Sequence, residues 1–308
     1  GTLTDKAAKT LKLVVDDNLS AATDVTLASD GSWKAVLDIS AFPSGKSSHH
    51  FALYSPERSK ASANQPFTVD IAAEVLHAEV TDAVGDEAYQ YPTNASFDKQ
   101  MDLTMLSADA NGSQLTLTYS MSNVTSSWNP SNGFDHVLFN TFIQVPGKSG
   151  GASVLPNLNA STPADFSWNY LVRSEGWSNK LYGAEGATDK NPGTVQNAKL
   201  TIAADPAKKT VTLSIDGASL GILDWQQAKV YVTTWDWNGV NGTLRPLQTV
   251  AGDWNFGGGD GDVDPLIMDQ SEVLQLPAGG AKVSDIAADE AYPYPKILDG
   301  NKQPQYDG

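Results

Sequence analysis

Apolar and polar residues alternate along much of this chain. Leu115-Thr-Leu-Thr-Tyr-Ser-Met121, Val211-Thr-Leu-Ser-Ile215 and Ala198-Lys-Leu-Thr-Ile202 put every second side chain on one face. That is the period of a half-buried β-strand. Turn residues separate such runs. Ala108-Asp-Ala-Asn-Gly-Ser113 is one example, and Ala204-Asp-Pro-Ala-Lys-Lys209 joins two of the strands as a hairpin. Helical periodicity is scarce. The pattern predicts an all-β chain arranged as sandwiches or barrels.

The same reading divides the chain into three segments. Residues 1–70 hold short strands at Leu11–Val15, Val25–Leu27, Trp33–Ile39, Phe51–Tyr54 and Phe67–Val69, punctuated by Asn18, Asp30-Gly31 and Pro43-Ser-Gly45. Residues 71–276 form a second, larger all-β segment. Residues 277–308 are rich in Pro, Gly, Ala and Asp and read as an extended tail.

Composition narrows the class of partner. The 308 residues are 40% hydrophobic and 18% charged, enough for a packed core. The net charge of −16 disfavours nucleic acid and anionic membrane surfaces, and suits a neutral ligand or a cation. There is no cysteine, so disulfides and thiolate metal sites are excluded. No apolar run reaches the roughly 18 residues of a membrane span. Residues 1–30 do not resemble a signal peptide, and the chain reads as a mature protein or part of a longer one.

Two acidic turns carry the first candidate chemistry. Phe256-Gly-Gly-Gly-Asp-Gly-Asp-Val-Asp-Pro265 sets Asp260, Asp262 and Asp264 at alternate positions between glycines. A flexible backbone can turn several such oxygens toward one hard cation. The spacing is not that of a helix-flanked calcium loop, because Pro265 stands where that loop needs glycine. The second turn, Thr81-Asp-Ala-Val-Gly-Asp-Glu87, lies far upstream, and the two are expected to meet at one metal. An acidic surface loop is the alternative.

Aromatic residues carry the second. There are eight tryptophans, and an exposed indole face suits the C–H face of a sugar. Trp33 and Trp225 read as core. Trp128 and Trp254 sit in loops, where either packing or ligand contact is open. Trp235 and Trp237 alternate on one strand end and so share a face, with Asn238, Asn241 and Arg245 nearby. They read either as a sugar platform or as a cover over the sandwich end. Trp177 and Tyr182 extend the set. No motif marks a catalytic site: the four histidines lack metal-ligand spacing, His49-His50 reads as a solvated serine-rich turn, and no nucleophile elbow or phosphate loop occurs. The 36 acidic residues offer carboxylate pairs of which no motif singles out one, so an enzyme stands as the third reading.

Several motifs bear a family resemblance. They are Asp82-Ala-Val-Gly-Asp86, Tyr89-Gln-Tyr-Pro-Thr93, Met101-Asp-Leu-Thr104, Trp128-Asn-Pro-Ser-Asn-Gly-Phe134, Tyr231-Val-Thr-Thr-Trp-Asp236 with Arg245, and the Phe256–Pro265 run with Met268-Asp269. In order and spacing the second segment resembles the carboxy-terminal module of glucodextranase, also appended to amylopullulanase-type enzymes. It is similar to family 9 carbohydrate-binding modules and DOMON-like sandwiches. Asp30-Gly-Ser-Trp33 and its surroundings resemble bacterial immunoglobulin-like spacer modules. The resemblance implies a small immunoglobulin-like sandwich followed by a larger, calcium-stabilised β-sandwich. It implies non-catalytic binding of polysaccharide, α-glucan in particular. The parent would be a bacterial extracellular or cell-surface enzyme whose catalytic domain lies in the same full-length chain. Its metal candidates are Asp82, Asp86, Asp102, Asp260, Asp262 and Asp264, with Asp102 alternatively capping a turn or pairing with Arg245. Its carbohydrate candidates are Trp235, Trp237, Trp177, Trp128, Tyr182 and Arg245. Envelope anchoring without sugar affinity is the second reading, since the family also carries a likeness to surface-layer attachment regions.

Overall fold

The computed structural model describes residues 8–37, 42, 45–72, 75–97, 99–239, 242–279 and 282–288. The chain is all-β, and the helical turns among the described residues are short 3-10 segments. Among the described residues, no helix is long and apolar enough to cross a membrane. It divides into two compact units, Gly1–Glu74 with Gly280–Gly308, and Val75–Gly279.

The first unit is built on one antiparallel sheet. Its order is Thr23–Asp24, Lys12–Val15, Gly45–Ser55, Gln65–Ala72 and Lys282–Ala288, with Lys60–Ala61 paired to Gly45–Ser55. The last of these strands comes from the segment read as a tail. Leu11, Leu13, Val25 and Leu53 are buried together, with Trp33 only partly buried beside them. The run expected as Trp33–Ile39 is a strand over Trp33–Lys34, and residues 38–41 lie outside the described residues. His49 and His50 depart from the expected solvated turn, because they belong to the strand Gly45–Ser55. The His49 ring stacks on Phe42 at 4.2 Å, and its Nδ1 lies 2.7 Å from an Asp16 carboxylate oxygen.

The second unit is a two-sheet sandwich. One sheet runs Leu200–Asp205, Thr210–Asp216, Gln114–Met121, Leu103–Asn111 and Leu76–Thr81. The other runs Thr194–Gln196, Ser178–Gly183, Tyr170–Glu175, Val137–Gln144, Lys229–Asn238 and Thr243–Leu244, with Asp269–Gln270 and Leu274–Gln275 also paired to Lys229–Asn238. The alternation read from sequence decides which residues fill the gap between them. Leu115, Leu117 and Tyr119 are buried, as are Val211, Leu213 and Ile215. They meet Phe139, Ile143, Val172, Val230 and Val232 of the facing sheet in one core. Tyr119 stacks on Phe139 at 4.5 Å and its hydroxyl lies 2.7 Å from that of Thr141, so a phenol buried in the core is satisfied.

The strand Val137–Gln144 is buried at nearly every position rather than at alternate ones. Its second face is covered by Leu155, Leu158, Phe166 and Trp168, which pack on Phe142, Leu171 and Tyr231. A strand covered on both sides is apolar on both faces. Trp225 is buried as expected, its indole N–H donating to the Ser113 carbonyl at 2.8 Å.

Candidate functional site

Three loops and one strand end of the second unit surround an open cleft of about 760 Å³. Its lining is dominated by Trp128, Trp177, Trp237 and Trp254, with His136, Glu175 and Arg245 as the charged or titratable members. Trp128, Trp177 and Trp254 are 56%, 52% and 46% exposed. A bare indole normally gains by burial, so three such rings around one hollow form an exposed apolar patch of the kind that marks candidate interaction sites.

Each ring is held by local chemistry. Trp177 occupies the two-residue turn between Tyr170–Glu175 and Ser178–Gly183, and its main-chain N–H donates to Glu175 Oε2 at 2.9 Å. The Ser178 hydroxyl donates to Glu175 Oε1 at 2.6 Å. The other turn residue, Gly176, packs against the neighbouring loop, where a Cβ would strike the Phe134 carbonyl oxygen and lie 2.9 Å from Pro130 Cβ. Asn132 donates its main-chain N–H to the Gly176 carbonyl at 2.8 Å and its amide to the Glu175 carbonyl. The loop that carries Trp128 is thereby docked onto the hairpin that carries Trp177. Trp128 donates its main-chain N–H to the buried Asp135 carboxylate at 3.2 Å. Burial raises the Asp135 pKa against that hydrogen bond.

Arg245 and Asp236 form the floor's ion pair, both buried. The guanidinium lies 4.9 Å from the Phe97 ring centroid and 5.9 Å from that of Trp254, and donates to the Trp254 carbonyl at 3.1 Å. Burial pushes the Asp236 carboxyl up, to about 6, while Arg245 opposes the shift. His136 sits beside them, its ring 3.8 Å from Phe97 and its Nε2 3.1 Å from the Ser96 hydroxyl. Burial and then the Arg245 charge lower its pKa to about 4.

The sugar-site candidates therefore separate. Trp128, Trp177, Trp237 and Arg245 share the cleft. Trp235 does not: it is fully buried against Phe256 at 4.6 Å and Tyr89 at 5.9 Å, and its indole N–H donates to the Arg245 carbonyl at 3.0 Å. A strand end capped by a folded-back loop hides one of two alternating residues, which period two alone does not reveal. Tyr182 packs with the Phe142 and Trp168 cluster and is not a lining residue. Asn238 lines the cleft, while Asn241 lies outside the described residues. Trp254 was legible as a loop aromatic. Glu175 and His136 were not among the candidates: Glu175 showed only as a neighbour of Trp177, and His136 lacked ligand spacing.

The acidic candidates separate too. Among the described residues, no carboxylate of the downstream run joins the cluster formed by the upstream turn; the downstream run pairs by backbone with the segment that follows that turn. Gln90 and Gly257 exchange N–H···O=C bonds of 2.9 and 3.0 Å. The downstream carboxylates turn back on their own loop, where Asp264 accepts from the Asp260 N–H at 3.2 Å and Asp260 from the Asp262 N–H at 2.8 Å. Among the described residues, the three carboxylates that come within 4.8 Å of one another are Asp82, Asp86 and Asp269. They line a second hollow with Glu272 and Tyr231. Asp269 was not among the metal candidates, though it stands in the Met268-Asp269 motif. Its burial, with Asp82 and Asp86 adding repulsion, raises its pKa to about 7. Asp102 is buried beside the upstream turn and accepts from the Gly85 N–H at 3.1 Å and the Ser122 hydroxyl at 2.6 Å. It caps the turn, and Arg245 pairs with Asp236 instead. The carboxylates that gather could hold a metal ion.

Residues 75–275 match the family model described as the C-terminal binding module, SLH-like, of glucodextranase. The chain belongs to that family. No curated protein matches it.

Proposed function

We propose, from membership of this binding-module family, that the chain is the non-catalytic carbohydrate-binding part of a secreted α-glucan-degrading enzyme. The observation that carries the reading is the convergence of Trp128, Trp177, Trp237 and Trp254 on one open cleft. Indole faces offer apolar area and a negative quadrupole to the C–H groups of a pyranose ring. A cleft with an apolar aromatic lining and a few fixed polar groups has the make-up of a small-ligand site. Holding the polysaccharide would raise the effective concentration of substrate at the parent's catalytic domain. The first unit is read as an immunoglobulin-like spacer.

Calcium at the acidic cluster belongs to the same proposal. The donor set is carboxylate oxygen alone, which suits a hard cation. Asp82 Oδ2 is buried without a hydrogen-bond partner among the described residues, and such an atom calls for a cation or water. Asp82, Asp86 and Asp269 would hold the ion. It would supply the positive charge that lets three carboxylates stay ionised side by side.

Retention of the full chain on insoluble or gel-embedded α-glucan tests the carbohydrate reading. The wild type is expected to be retained and to release no reducing sugar. Trp128→Ala and Trp177→Ala are expected to wash through while staying folded. A folded wild type that binds no glycan overturns it. The SLH-like description of the family favours envelope anchoring as the second reading. Binding to purified cell envelope without binding to any isolated glucan would support that one.

A further inference from the structure

Building on the carbohydrate reading, we propose that the tryptophan cleft is also a charge filter. Glu175 makes it accept neutral or amine-bearing sugar rings and reject rings that carry a uronate.

Three titratable side chains line the cleft: His136, Glu175 and Arg245. Arg245 is 7% exposed, is ion-paired with Asp236, and spends a further N–H on the Trp254 carbonyl. Its charge is cancelled locally, and it lies between aromatic rings rather than open to an incoming anion. His136 is wedged against Phe97, and with a pKa near 4 it is neutral at pH 7. Among the described residues, Glu175 has no cationic partner within ion-pair distance. Its oxygens accept from the Trp177 N–H and the Ser178 hydroxyl, which aim the carboxylate but leave its charge uncompensated.

The surroundings reinforce that sign. Asp135 stands behind Trp128, and Asp253 precedes Trp254 and accepts only from the Thr93 hydroxyl among its described hydrogen bonds. The whole chain carries −16. A ring carboxylate entering here meets a like charge and the negative faces of indoles, and the described lining residues offer no unpaired cation to replace its lost hydration. An ammonium group meets the reverse: Glu175, and indole faces that attract cations.

Titration calorimetry with three matched oligosaccharides tests this: one neutral glucan, its C6-oxidised uronate form and its amino-substituted form. The uronate is expected to bind the wild type at least about tenfold more weakly than the neutral glycan, as like charges in contact require. The amine is expected to bind at least as well as the neutral form. Glu175→Gln keeps an oxygen acceptor for Trp177 and is expected to shrink the uronate penalty to within about threefold. If that variant does not fold, raising salt from about 0.05 M to about 0.5 M with wild type is expected to shrink the penalty by screening. Equal affinity for neutral and uronate forms in the wild type overturns the filter alone. So does a penalty that survives both Glu175→Gln and salt. Failure of all three to bind removes the carbohydrate reading together with the filter.

Discussion

Arg245 reaches Trp254 twice, through its guanidinium 5.9 Å from the indole centroid and through an N–H donated to the Trp254 carbonyl at 3.1 Å. The same side chain neutralises Asp236, which is wholly buried at the end of the strand Lys229–Asn238. A structural ion pair thus positions one wall of the tryptophan-lined cleft. Removing either partner leaves a buried charge, at a cost of about 3–5 kcal/mol. Arg245→Ala and Asp236→Ala are expected to lower the melting temperature sharply in thermal unfolding. Arg245→Lys is expected to lose most of the same stability, because an ammonium cannot reproduce the planar fork that reaches both partners. Wild-type melting in Arg245→Lys would show that charge alone suffices.

Trp235 and Trp177 stand for the buried and the exposed tryptophans. Trp235→Ala removes a fully buried indole and is expected to cost about 3–5 kcal/mol. Trp177→Ala removes a half-exposed one and is expected to change stability by less than about 1 kcal/mol while abolishing glucan retention. Denaturant unfolding and affinity electrophoresis on each variant separate the two effects. Loss of binding only in variants that also unfold would refute a platform role for Trp177.

Gly176 lets the Trp177 hairpin sit on the Trp128 loop. Gly176→Ala places a methyl group against the Phe134 carbonyl and Pro130. Both are held in a short, hydrogen-bonded loop, so the clash is expected to cost about 1–3 kcal/mol. Glucan affinity should fall along with stability, because two of the cleft's rings move apart. An unaffected affinity at unchanged fold would mean the loops need not touch.

Calcium dependence should follow the carboxylates that gather. Chelation is expected to lower the melting temperature, and added calcium to restore it by mass action. Asp82→Asn and Asp269→Asn should abolish that response. Asp260→Ala, Asp262→Ala and Asp264→Ala should leave it intact, since the Asp260 and Asp264 carboxylates accept from their own loop and none of the three belongs to the cluster. A response that depends on Asp262 but not on Asp269 would return the site to the glycine run.

His136 sets a pH dependence. Its folded pKa, about 4, lies below the 6.5 of an unperturbed histidine. Between those values the unfolded chain binds the extra proton, so this residue's contribution to stability is full above pH 6.5 and is lost as pH falls toward 4. His136 has a positive φ of 58°, which asparagine tolerates better than most residues. In His136→Asn, the fall in melting temperature between pH 6.5 and pH 4 is expected to be shallower than in the wild type. Identical pH profiles would assign the acid sensitivity to other groups.

The sequence alone determined the all-β class and the main sandwich strands. Alternation at Leu115–Met121 and Val211–Ile215 reports which side chains leave water, and burial is a local requirement of a strand. It also made Trp128, Trp177 and Trp237 recognisable as candidates. Only the tertiary structure decided that Trp235 belongs to the core and Trp254 to the cleft, because a strand end is exposed or capped according to where a distant loop folds. The acidic motifs show the same limit. Glycines and alternating aspartates at Gly257–Asp264 announce a tight loop, and a carboxylate in such a loop can bind a cation or its own backbone N–H. Local pattern cannot choose between those partners. The choice came from long-range pairing, which set Gly257 against Gln90 and brought Asp269 beside Asp82 and Asp86 across more than half the chain.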